Sequence, residues 1–309
     1  ELIIDTHTNL IPYTSSSTDT WDVLRISDLV DVDSNNVLLI YGYDDNDEST
    51  KNDRTRNIYS NQSGSCIGYW NREHVFAKSL ANPSLVTNQP GPGTDIHNLR
   101  SADCQMNSTR NNRLFVSGSG NSGTSGSYFY PGDEFKGDVA RIIMYMYLRY
   151  PSQCEPLNIG VGSSSYSQNG DIPDLFLDWN DQDPVSEFEL NRNDVIYSYQ
   201  GNRNPFIDNP YLATLIWNGP ITTDSWGVLS NTEITTKNLT VFPTITSDYL
   251  YISGIINEQY SVQIFNQLGQ ALEVEISNNR IDVSDFSSGV YILKFEQANQ
   301  VQQTKFFIR

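Results

Sequence analysis

Three features of the sequence argue for an α+β domain followed by a small all-β sandwich. Phe135, Val139, Ile142, Ile143, Met146 and Tyr150 recur at the i, i+3, i+4 spacing of a core helix. Ahead of them, short apolar runs such as Val37-Leu38-Leu39-Ile40-Tyr41 read as buried strands. Beyond Trp217-Asn218-Gly219-Pro220 the helical rhythm stops, and the runs at 249–252, 261–265 and 290–295 alternate like sandwich strands between polar turns. The 309 residues suffice for two cores, which divides the chain into a first domain over 1–220, a linker over 221–237 and a β-sandwich over 238–309.

Taken in order, Trp21, Val23, Leu24, Ile26, Leu29 and Val30 make a short amphipathic helix after the serine loop at 15–17. A strand follows at 37–41. The segment 66–70 is expected as a strand, 82–94 as a Pro/Gly-containing loop, and 95–99 as a second strand antiparallel to the first. Ser101 or Asp103 can cap a helix running through Asn107 to about Arg113. Glycine and serine over 116–127 predict a flexible loop. The core helix opens after Pro131 and stops at Pro151, and Asp183-Pro184 starts another whose Val185, Phe188, Val195 and Ile196 can face inward.

The net charge of −18 opposes binding of nucleic acid, whose affinity rests on neutralised phosphates. Its distribution does not: from Lys51 to Arg113 there are eight cations against four anions. No apolar run reaches membrane-spanning length. The chain starts without Met or a basic segment leading into an apolar one, so any leader is expected to have been removed. Three cysteines are too few for a disulfide framework or a paired-cysteine zinc site. A Cys66 to Cys104 bridge and three reduced buried thiols, Cys154 included, both stand open. The protein is expected as a monomer.

The chemistry concentrates in Tyr69-Trp70-Asn71-Arg72-Glu73-His74-Val75-Phe76, then Asp95-Ile96-His97-Asn98-Leu99, then Asn107 with Arg110. A histidine near its ordinary pKa can take a proton from water at neutral pH, and a carboxylate with an amide oxygen suits a hard divalent cation. A base, two oxygen ligands and nearby cations can together hydrolyse a phosphodiester. These pieces, in this order, resemble the endonuclease I family of secreted and periplasmic nucleases, and the segments 136–141 and 203–208 extend the resemblance over roughly 1–220. It implies a ββα-metal (His-Me) finger in which Glu73 and Asn107 hold one Mg²⁺, with Mn²⁺ or Ca²⁺ as alternatives, and His74 is the general base. Arg110 would stabilise the reacting phosphate, Arg72, Arg100 and Arg113 would bind substrate, and Asp95 and His97 would support the finger. Ala77 stands where the family often has proline. Consecutive strand residues point to opposite faces, so Glu73 and His74 can converge only if the pair ends its strand.

The segments 239–243, 287–291 and 305–309 resemble the C-terminal sorting domain of the type IX secretion system, with Thr244-Ile245-Thr246 in place of the commoner Asn-Pro. The expected function is therefore a secreted or cell-surface, metal-dependent endonuclease. It would cut DNA, with RNA left open, show little sequence preference and leave 5′-phosphate ends. Its expected partners are nucleic acid and the type IX secretion machinery. The competing expectation is a non-catalytic calcium-binding adhesion protein using the acidic runs at 31–35 and 44–48, although neither run has the Gly and distal Glu of an EF-hand.

Overall fold

The computed structural model describes residues 9–61, 66–227, 240–253, 260–267, 269–274, 276–277, 279–297 and 300–309. His7 and much of the expected linker lie outside the described residues. The chain forms two compact units, Glu1–Val228 and Leu229–Arg309.

In the first unit, helix α1 (Thr20–Ser27) starts from a reciprocal cap in which Asp19 accepts from the first-turn amides and Asp22 accepts from the Asp19 N–H. Its Val23 and Leu24 are fully buried. Strand β1 (Asn36–Leu38) pairs antiparallel with β2 (Thr55–Asn57) and ends sooner than expected. Past Leu38 the chain turns away from β2: Ile40 bridges to Ala102, and Tyr41 takes a left-handed φ of 74°.

The next two strands, β3 (Trp70–His74) and β4 (Leu99–Asp103), pair antiparallel with Glu73 opposite Arg100 and His74 opposite Leu99. Both lie C-terminal to their expected positions. Gly68, at φ 76°, makes residues 67–68 a turn, which delays β3. Asp95 caps a 3₁₀ turn at Ile96–Asn98 by accepting the His97 N–H at 3.0 Å, so His97 precedes the strand. The Asp103 carboxylate accepts from Gln105 and Met106 N–H, both at 2.8 Å, and starts helix α2 (Cys104–Arg110). Of the two open cysteine readings the bridge forms, joining Cys66 to Cys104 across a Cα separation of 5.2 Å, while Cys154 is free and buried.

The glycine- and serine-rich segment is more ordered than expected: β5 (Gly123–Ser125) and β6 (Tyr128–Tyr130) form a hairpin around Gly126 at φ 61°. Helix α3 (Lys136–Arg149) is the core helix, buried continuously from Gly137 to Met146. Helix α4 (Asp174–Gln182) was not anticipated; its Leu175, Phe176 and Trp179 pack with α3 in the main cluster. Helix α5 (Glu187–Gln200) is capped by Ser186 rather than Asp183. It buries Glu189, Arg192, Asn193, Ile196 and Gln200 instead of an apolar stripe. Those polar groups are paired. Arg141 meets Glu189 at 2.7 Å, Arg192 meets Asp28 at 2.8 Å, and Arg100 meets Asp138 at 2.6 Å, a buried ionic seam joining β4, α3, α5 and Asp28, the residue just past α1. Two short helices, α6 (Pro205–Asp208) and α7 (Tyr211–Trp217), complete the unit.

The second unit contains β7 (Thr240–Phe242), β8 (Ile245–Thr246), β9 (Tyr249–Ser253), β10 (Tyr260–Phe265), β11 (Ala271–Leu272), β12 (Ile276–Ser277), β13 (Arg280–Asp282), β14 (Gly289–Gln297) and β15 (Gln300–Ile308). They form two sheets, ordered β11-β10-β14-β15-β8 and β12-β13-β9-β7. Alternate residues such as Leu250 and Ile252 from one sheet, and Leu293 and Phe306 from the other, share one core. Among the described residues no helix is long and apolar enough to cross a membrane.

Candidate active site

The residues singled out for chemistry gather where β3 ends and α2 crosses the β3–β4 pair. Alternation along β3 puts Asn71 and Glu73 on one side and Trp70, Arg72 and His74 on the other. Trp70 is fully buried in the cluster that also holds Leu24 and Leu99, which fixes the strand's orientation. His74 is the last residue of the strand, where the pleat no longer imposes opposite directions. Glu73 and His74 consequently line the same cleft, of about 520 Å³, with Asn107 and Arg110 from α2.

His74 is 7% exposed, and its Nε2 lies 2.8 Å from the Gly93 carbonyl oxygen. A carbonyl can only accept, so Nε2 carries the proton and Nδ1 keeps the lone pair. The loop bearing this carbonyl requires glycine, because a Cβ on Gly93 would collide with the Val86 carbonyl. Burial lowers the His74 pKa to about 3, only partly offset by the Gly93 contact, and Lys78, Arg72 and Arg110 push the same way. The imidazole is therefore neutral at physiological pH.

Glu73 is 3% exposed. Its Oε1 accepts from Tyr41 Oη at 3.1 Å and lies 3.3 Å from Arg110 Nη1. Burial pushes the carboxyl up to about 7, since Arg110 and Tyr41 only partly offset the loss of water. Across the cleft, Asn107 donates its Nδ2 to Asn71 Oδ1 at 2.6 Å, which leaves the Asn107 amide oxygen as the free acceptor. A buried carboxylate short of compensating charge and an oriented amide oxygen are hard donors that fit Mg²⁺, an ion that keeps several waters and needs few protein ligands. Among the described residues no group of three or more His, Cys, Asp or Glu side chains is arranged for a cation. The carboxylates of Asp31, Asp44, Asp45 and Asp47 instead accept N–H groups of their own loops.

The arginines depart from expectation. Arg110 is 0% exposed: Nη2 donates to Val75 O at 2.7 Å, and Nη1 to Asn111 O at 3.0 Å and His74 O at 3.2 Å. It braces Glu73 and the backbone around the base, and is not the free phosphate clamp expected. Arg100, 1% exposed, lies in the ionic seam with Asp138 and Asp28, so the substrate contact expected of it is withdrawn. Arg72 lines the cleft with its guanidinium 3.4 Å from the Tyr13 ring centroid and 4.1 Å from that of Trp21. It donates to Tyr13 O, Thr14 Oγ1 and Thr20 Oγ1, forms no ion pair with a carboxylate among the described residues, and is half-buried at the cleft's edge. Arg113 turns back to the Thr109 carbonyl. The local excess of cations is therefore largely taken up by the protein's own groups, with partly exposed Arg54 on Glu134 and buried Arg56 on Asp53 and Asp103 as further examples.

Asp95 and His97 lie behind the cleft, both fully buried. Asp95 accepts from Tyr145, Tyr150 and Gln200 at 2.8 Å each, and His97 Nε2 donates to Asn202 O at 3.2 Å. Three residues that act here have no role assigned to them from sequence: Tyr41, Asn71 and Gly93. Asn71 was legible, since it stands two positions from Glu73 on the same face of the strand. The other two act from remote segments with no local signal.

Residues 2–211 match the family model for endonuclease I, and residues 240–309 match that for the secretion system C-terminal sorting domain. An extracellular ribonuclease of Bacillus amyloliquefaciens is 40% identical over 226 residues, which span 70% of this chain and 71% of that protein. Another extracellular ribonuclease, from Bacillus subtilis (strain 168), is 39% identical over 226 residues with the same coverage.

Proposed function

Starting from the fact that the chain belongs to the endonuclease I family and is a secreted or cell-surface nuclease, we propose that it is a metal-dependent endonuclease of the His-Me finger type, acting on both DNA and RNA. The observation that carries this reading is the pairing, in one cleft, of an imidazole held as the Nε2–H tautomer by Gly93 with the buried Glu73 carboxylate.

In this reading His74 Nδ1 takes the proton from the attacking water. The same burial that keeps the ring neutral makes it a weak base, and a substrate phosphate would raise its basicity by offsetting the cations around it. Glu73 and the Asn107 amide oxygen would hold Mg²⁺, which when bound supplies charge stabilisation at the phosphate and its leaving oxygen. Tyr41 and Arg110 fix the Glu73 carboxylate, and Asn71 turns the Asn107 amide so that its oxygen is the atom offered. Attack by an external water makes no use of a ribose 2′-hydroxyl. DNA and RNA are then equivalent at the reacting phosphate, and both leave 5′-phosphate and 3′-hydroxyl ends. The names of the two Bacillus relatives support the RNA half of the proposal. The β unit adds an address for the secretion machinery rather than chemistry.

The test is incubation of the purified protein with supercoiled plasmid and with single-stranded RNA, in Mg²⁺ and in EDTA, beside His74→Ala. Both substrates should be cut in Mg²⁺, neither in EDTA, and the variant should be inactive with an unchanged thermal melt. Undiminished cleavage in EDTA or by His74→Ala would overturn the mechanism, and intact RNA would confine the activity to DNA.

A further inference from the structure

The cleft continues past the His74 end between two walls that the proposed chemistry does not use. Lys78 and Ser79, in the 3₁₀ turn Lys78–Leu80 just after the strand, form one wall. Asn111 and Asn112, immediately after α2, form the other, and Asn112 Nδ2 donates to Ser79 Oγ at 3.3 Å. Of the cations lining the cleft, Arg110 is buried on Glu73 and backbone carbonyls, and Arg72 is held between two aromatic rings. Lys78 differs. Its side chain is exposed, and its ammonium makes no hydrogen bond or ion pair among the described residues.

Asn111 supplies an independent observation. It sits at φ 50°, ψ −123°, a backbone region that glycine favours and that other residues seldom adopt. Arg110 holds the turn from below by donating to the Asn111 carbonyl at 3.0 Å. The carbonyl end of a helix repels an anion unless a cation faces it. Here Arg110 and Arg113 cover carbonyls of that end, at Asn111 and Thr109, and Lys78 lines the same cleft. An ammonium without a protein partner, in the same cleft as two exposed asparagines on a braced turn, supplies a set of donors for a phosphate.

We infer that Lys78, with Asn111 and Asn112, forms a subsite for a backbone phosphate next to the scissile one, and that Lys78 rather than the arginines is the principal cation meeting substrate in this cleft. The inference rests on the nuclease reading above. Because it addresses phosphate, the subsite serves DNA and RNA alike, and it contributes to binding without entering the chemical step.

The experiment compares wild type, Lys78→Ala, Lys78→Arg and, as a remote control for loss of one charge, Lys305→Ala. Binding of a short fluorescein-labelled DNA duplex is followed by anisotropy in EDTA, across salt from about 50 to 200 mM. Lys78→Ala should weaken binding several-fold and lower the slope of log affinity against log salt by about one. Lys78→Arg should keep both, and Lys305→Ala should change neither. In Mg²⁺, Lys78→Ala should raise KM and leave kcat within about two-fold, the signature of lost uniform binding. An unchanged slope in Lys78→Ala, an equal fall in Lys305→Ala, or a collapse of kcat at constant KM would each overturn the subsite while the wild type still cuts. A wild type that cuts neither DNA nor RNA would instead remove the nuclease reading and this inference with it.

Discussion

Arg110→Met separates a brace from a phosphate clamp. Methionine approximates the volume of the arginine stem but removes a charge that is 0% exposed, lies 3.3 Å from Glu73 Oε1 and donates to the carbonyls of His74, Val75 and Asn111. Removing one partner of a buried ion pair costs about 3–5 kcal/mol, because the other charge is left uncompensated. Glu73 can escape part of that cost by taking a proton, since burial already pushes its pKa up to about 7. The three carbonyls cannot, and each buried group left without a partner costs about 1–3 kcal/mol. We therefore expect Arg110→Met to destabilise the first unit by at least about 3 kcal/mol. Urea unfolding followed by tryptophan fluorescence reads that unit alone, because all five tryptophans precede residue 228. Arg113→Ala, whose guanidinium only turns back to one carbonyl, should shift the same curve by less than about 1 kcal/mol. A variant Arg110→Met that unfolds like wild type yet cannot cut nucleic acid would refute the brace and restore the clamp.

Two further outcomes are expected. Asn71→Leu should weaken Mn²⁺ binding, measured by calorimetry, by about ten-fold or more, because the Asn107 amide loses the acceptor at 2.6 Å that fixes its rotamer. Asn71→Asp, which keeps an acceptor, should bind at least as tightly as wild type, and equal affinity in all three proteins would dismiss the role. His97 is buried with its pKa lowered to about 4, so below about pH 6.5 the unfolded chain binds a proton that the native one refuses, and stability falls as pH falls. That contribution reaches about 2 kcal/mol at pH 5 and is absent in His97→Gln. The stability gap between the two proteins should therefore narrow by that amount from pH 7 to pH 5, with Glu73 titrating in both and cancelling; parallel curves would contradict it.

Much of this architecture was legible in local sequence because local physics decides it. The i, i+3, i+4 rhythm of 135–150 fixes α3, whose burial leaves few alternatives. Glu73, His74 and Asn107 were visible as chemistry because a carboxylate, an imidazole and an amide seldom fall into that order through packing alone. The arginines misled for a physical reason. A local excess of positive charge in sequence says nothing of anions arriving from elsewhere, and Asp138 meets Arg100 from 38 residues away. Helix α5 misled likewise: it buries polar groups that are satisfied by partners from remote segments, Arg141 for Glu189, Asp28 for Arg192, Asn204 for Asn193 and Asp95 for Gln200, so no apolar stripe marks its inner face. The strand boundaries moved because Gly68 and the Asp95 cap, both short-range features, outweigh β propensity at 66–69 and 95–98.

Where a divalent ion binds decides the proposed mechanism. Crystals soaked in Mn²⁺ and measured at its absorption edge should give one anomalous peak in the cleft, within about 2.5 Å of both a Glu73 carboxylate oxygen and the Asn107 amide oxygen, and the peak should vanish in Asn107→Ala. A clean cleft with the ion bound among the acidic loops at 31–48 would contradict the proposed mechanism and favour the calcium-binding alternative.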